Sequence, residues 1–173
     1  MNNTFVTNAI RFVALVLLQG LVLQHISLNT EYDNYVHVIV FPLFIILLPL
    51  RTPHALVVSL GFFIGICVDF FYESPGVHAS ASVFIAFVRP MVLQVLSPSK
   101  GYDMNVSPTK AKYGISWFLI YSGTMMFLYL FFYFSVEIFT FYFIGEIALR
   151  TIFSFFLSML FITIYTFIFN PTE

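Results

Sequence analysis

Three charged side chains, Asp69, Arg89 and Arg150, stand inside long apolar stretches, where an ionised group is most expensive. On insertion scales an Asp, Arg or Lys at mid-membrane costs about 2.5–3.5 kcal/mol, so such residues need a partner or a task. At a rise of roughly 1.5 Å per residue, Asp69 lies about 5 Å from the outer end of its segment, Arg150 about 9 Å and Arg89 about 16 Å. Depth therefore matches Asp69 with Arg150. Glu146, one helical turn before Arg150 on the same face, can share that charge. The expected intramembrane ion pair is thus built from Asp69, Arg150 and Glu146. Arg89 has no acid at its level, which leaves it carbonyls freed by Pro90, the basic side of the membrane, or another protein.

Other chemistry is sparse. His25, His37 and His78 fall toward one end of the predicted spans, and three histidines make a metal site conceivable. No pair of them has a short ligand spacing, so no metal is expected, and His54 falls at the opposite end. Gly114-Ile-Ser116-Trp117 is not a nucleophile elbow, because Phe118 stands where the second glycine is needed. There is no His-Glu-x-x-His, no phosphate-cradling glycine loop and no Cys-x-x-Cys. The single Cys67 can form no intramolecular disulfide. Neither a catalytic function nor a cofactor is expected.

The elements that must position these residues follow from composition. Only 9% of the 173 residues are charged, 60% are hydrophobic and the mean hydropathy is +0.96. Such a chain cannot cover a water-facing surface, nor is it the polar, highly charged sequence of a disordered protein. It reads as an all-α membrane protein, a single bundle of six transmembrane helices. Each span satisfies its own backbone hydrogen bonds. The predicted spans are 10–28, 36–50, 55–72, 78–96, 114–135 and 144–168. The second is short, contains Pro42 and is closed by Pro49 and Pro53, so a kink is expected there. Glu73-Ser74-Pro75-Gly76 reads as a turn between the third and fourth. The Phe-rich fifth and sixth read as peripheral helices with wide lipid-facing sides. The first is read as an uncleaved helix, since no small-x-small site follows Leu28.

Charge placement orients the bundle. Arg11, Arg51, Lys100, Lys110 and Lys112 fall at the N-terminus and in the second and fourth loops. Glu31, Asp33, Glu73 and Glu137 fall in the first, third and fifth. By the positive-inside rule both termini are cytoplasmic.

Gly61, Gly65 and Asp69 recur every four residues along one stripe of the third span, and Gly-x-x-x-Gly lets another helix approach closely. Pro75-Gly76-Val77-His78-Ala79 follows, and then Arg89. This order across one hairpin, after a proline-bearing second span, resembles MreD, the family of rod shape-determining membrane proteins. The resemblance covers about a third of the chain, and its motif positions are Gly61, Gly65, Asp69, Gly76, His78 and Arg89. It implies a fold similar to the S components of ECF vitamin transporters. It also implies a non-enzymatic scaffold in the bacterial cytoplasmic (inner) membrane, with no established catalytic residues and no nucleic acid. MreC, a single-pass protein, is the implied direct partner. MreB and RodA with its transpeptidase are wider associates in peptidoglycan synthesis and rod cell shape, and membrane lipid surrounds the bundle. The rival reading is a substrate-binding S component of a vitamin importer. Ala9 and Ala14, five apart, do not give the Ala-x-x-x-Ala-like docking patch that such components usually show.

Overall fold

The structure, a computed structural model, describes residues 2–25, 37–98, 101–103, 106–139 and 141–169. Residues 26–28 of the first predicted span, residue 36 of the second, and Glu31, Asp33 and Lys100 lie outside the described residues. Most of those that are described are helical, with no strand among them.

Helix α1 (Asn2–Leu17) runs on through a π turn (Leu18–Val22) and a 3-10 turn (Leu23–His25). Four further helices are long and apolar enough to cross a membrane: α3 (His54–Tyr72), α4 (Val77–Val95), α6 (Ile115–Ile138) and α7 (Ile144–Phe169). At about 1.5 Å per residue even the shortest, with 19 residues, is about 28 Å long. Two short helices, α2 (Leu43–Leu47) and α5 (Lys110–Tyr113), complete the order. The chain is thus compatible with a multi-pass membrane protein.

The second predicted span is not a membrane-length helix. Residues 37–40 carry no helical pattern, α2 has five residues, and Leu48 already has ψ 141°. The prolines explain this locally: Pro42 opens α2, and Pro49 and Pro53 bar its continuation. Its apolar character has a different cause. Every residue from 38 to 48 is buried, so this segment is the centre of the core rather than a wall of the bundle.

Burial also separates the two Phe-rich helices. In α7 only 22% of the apolar stretch is buried, and Phe153, Phe156 and Phe167 face outward, as a peripheral helix requires. In α6, by contrast, Phe118, Tyr121, Met125, Met126, Tyr129 and Leu130 are fully enclosed. The peripheral expectation is corrected there: α6 packs between α4 and α7.

Candidate functional site

The α3–α4 hairpin is built by the motif residues. Gly65 lies against the α4 backbone so closely that a Cβ there would sit 2.4 Å from the Ala79 Cα. At Gly61 a Cβ would lie 3.0 Å from the Ser82 carbonyl oxygen. The glycine stripe therefore seats α3 on its own neighbour in sequence. It is consumed inside the fold and leaves no glycine surface for another protein.

Asp69, 6% exposed, closes the same hairpin. Its carboxylate accepts from the backbone N–H of Gly76 (3.1 Å), His78 (2.9 Å) and Ala79 (3.0 Å), and from the Ser74 hydroxyl (3.1 Å). Helix α4 begins after Gly76, which has φ +88° and no side chain with which to cap it. Asp69 supplies that cap from the preceding helix. The first N–H groups of a helix have no intrahelical acceptor, and its positive end favours an anion. Asp69 is not paired with Arg150. Among the described residues Arg150 donates to Glu146 at 2.6 Å, one turn away on α7. The local cap wins because four donors reach Asp69 from a turn of a few residues, at no further cost in chain ordering.

His78 is 0% exposed rather than at the surface. Its Nδ1 is 2.8 Å from the Tyr129 hydroxyl, and its ring stacks on Tyr133 with centroids 4.6 Å apart. Tyr72 and Phe41 meet it edge-on. The His78 Nε2 is buried with no hydrogen-bond partner. The His25 side chain lies outside the described residues. Among those described, no group of three His, Cys, Asp or Glu side chains gathers to hold a metal.

A second polar set, which the sequence reading missed, holds the non-helical segment. Gln19, fully buried in the π turn, accepts from the N–H of Val40 (2.9 Å) and Phe41 (3.4 Å). Its amide donates to the Val38 carbonyl (2.9 Å) and the Tyr72 hydroxyl (2.6 Å). From the other side, the hydroxyls of Ser154 and Ser158 accept from the N–H of His37 (3.0 Å) and Ile39 (2.9 Å). Irregular backbone inside a membrane protein must find such partners within the protein. The available signal was Gln19 set among leucines, and two serines four apart in a Phe-rich helix.

Arg89, 4% exposed, reaches the end of α2. Its Nη2 donates to the Leu48 carbonyl, and its Nε donates to the Tyr121 hydroxyl (3.1 Å). The Tyr121 hydroxyl in turn donates to the Ile46 carbonyl (3.3 Å). The carbonyls it serves come from the broken second segment and not from the turn before Pro90. Arg89 also lines a cavity of about 360 Å³ with Thr52, His54, Gln94, Ser97 and Tyr102. A fourth charge is turned inward as well: Arg11, expected at a span edge, is 8% exposed and donates to Asn8 at 3.2 Å.

The fold and these buried polar clusters define an α-helical protein with four helices able to cross a membrane. No protein-family model matches the chain, and no curated protein or solved structure matches it either.

Proposed function

We propose that the chain is a non-enzymatic scaffold of the bacterial inner membrane, with both termini cytoplasmic. In this reading it binds MreC and, through it, supports peptidoglycan synthesis by RodA and its transpeptidase along MreB. The observation that carries the reading is the convergence of the resemblance positions on one rigid unit. Gly61 and Gly65 seat α4, Asp69 caps it across Gly76, and His78 is locked among tyrosines. A stiff hairpin is what a scaffold needs to hold a partner at a fixed angle.

The contact surface in this reading is the outward side of the hairpin. Phe62, Ile66, Phe70, Pro75 and Ala79 border a groove of about 470 Å³ there, and Phe70 is 80% exposed. The single transmembrane helix of MreC is its proposed occupant. Gly61→Leu or Asp69→Ala would disturb the hairpin itself, so they report on folding. Phe62→Ala with Phe70→Ala alters the groove and leaves the cap and glycines intact.

The test is co-purification of the full chain with co-expressed MreC in mild detergent. Capture of MreC by the native chain, and its loss with the double Phe variant at normal abundance, is the expected result. Absence of MreC from the native sample defeats the reading. Capture of transporter energising subunits in its place would favour the importer alternative.

A further inference from the structure

We propose that the Arg89 cavity binds a phosphate oxyanion, supplied by the headgroup of an anionic phospholipid. The proposal does not rest on the scaffold reading. It starts from a charge that the fold has buried without neutralising. The hydrogen-bond partners of Arg89 among the described residues are the Leu48 carbonyl and the Tyr121 hydroxyl, both neutral, and no ion pair among those residues involves it. Removing a guanidinium from water without a counter-ion is costly, and an anion brought beside it recovers part of that cost.

The surroundings fit a phosphate. Arg presents several N–H groups in a planar fork that matches phosphate oxygens. Thr52, His54, Gln94 and Ser97 border the same cavity and add polar groups able to hydrogen-bond. At about 360 Å³ the space lies at the small end of ligand pockets, enough for a headgroup but not for a whole lipid.

The position favours a lipid source. The cavity lies at the end of the bundle that carries Arg51, Lys110 and Lys112. Basic pockets between membrane helices attract anionic headgroups from the adjoining leaflet. The ring of Phe87, 59% exposed on α4, meets that of the cavity-lining His54 with centroids 5.6 Å apart, which sets an apolar surface for acyl chains beside the cavity.

Thermal unfolding of the full chain in detergent tests this, with phosphatidylglycerol, phosphatidylcholine or inorganic phosphate added. Phosphatidylglycerol at a hundredfold excess over its Kd should raise the Tm by roughly 5–10 °C. Phosphatidylcholine, whose phosphate is offset by its own ammonium, should not. Gln94→Glu places a second anion in the cavity and should weaken phosphatidylglycerol binding about tenfold, which roughly halves the Tm shift at the same lipid concentration. Arg89→Gln should abolish it. If Arg89→Gln does not fold, Gln94→Glu alone decides. An equal shift with inorganic phosphate supports the oxyanion site and assigns it to a soluble phosphate. Equal shifts with both lipids, no shift with any addition, or an undiminished shift in Gln94→Glu overturns the proposal.

Discussion

The carboxylate of Asp69, on one helix, accepts the backbone N–H of His78, at the start of the next, at 2.9 Å. One side chain thereby fixes the angle of a hairpin and substitutes for the cap that Gly76 cannot provide. Hydrogen bonds to a charged acceptor contribute about 1.5–3 kcal/mol each, and losing a helix cap costs up to about 2 kcal/mol. Asp69→Ala should therefore lower stability by about 2–4 kcal/mol. Asp69→Asn should rescue little, because its amide nitrogen would confront N–H donors. Equilibrium unfolding of the purified chain measures both; native-like stability of Asp69→Ala would contradict the capping role.

Three glycines should respond differently to the same substitution. Gly65→Ala drives a methyl into the Ala79 backbone and should cost about 1–3 kcal/mol through overpacking. Gly76→Ala meets open space but must hold φ +88°, a strain of about 1–2 kcal/mol. Gly145→Ala, at the start of α7 with no atom near the added carbon, should be neutral or stabilising by up to about 1 kcal/mol. The same unfolding assay ranks the three, and a Gly65→Ala variant as stable as Gly145→Ala would argue against tight hairpin packing.

Gln19→Leu preserves volume but strips the acceptor from the Val40 and Phe41 N–H groups. An unsatisfied buried backbone group costs about 1–3 kcal/mol, so this variant should be among the most damaging in residues 2–25. Ser158→Ala orphans one N–H, that of Ile39, and removes a long 3.5 Å donor from the His37 carbonyl, so it should cost less. Amide hydrogen exchange across residues 37–41 should accelerate in both. Unaltered protection there would show that the clamp is dispensable.

Tyr102, in the loop before α5, donates to the Leu93 carbonyl at 2.8 Å. Burial, then the neighbouring Tyr121 and Tyr113, push its phenol up to about 12. A raised phenol pKa means that the folded state holds the proton more tightly. The associated stability is present below pH 10 and is lost as pH rises from about 10 toward 12. Comparing the alkaline unfolding limb of the native chain with Tyr102→Phe checks this, since the variant should lack that loss.

Local physics made much of the chain legible in advance. A bilayer dictates length and polarity span by span. Helices at His54–Tyr72, Val77–Val95, Ile115–Ile138 and Ile144–Phe169 lie where apolar runs of membrane length stand between charges and turn residues. The Pro75-Gly76 turn and the close-packing role of Gly61 and Gly65 are local in the same sense. The tertiary structure alone decided what is not local. Residues 37–48 have the hydropathy of a span because burial in protein and burial in lipid select the same side chains. Ser154 and Ser158, 117 and 119 positions away from the groups they serve, together with Gln19, Arg89 and Tyr121, satisfy the backbone that stays unwound there. Depth arguments paired Asp69 with Arg150 because they rank charges along the membrane normal and cannot see a neighbouring helix end. Nearby N–H donors claimed Asp69, and the carbonyl of a broken segment claimed Arg89, because each charge took the unsatisfied backbone groups that the folded chain brought within reach.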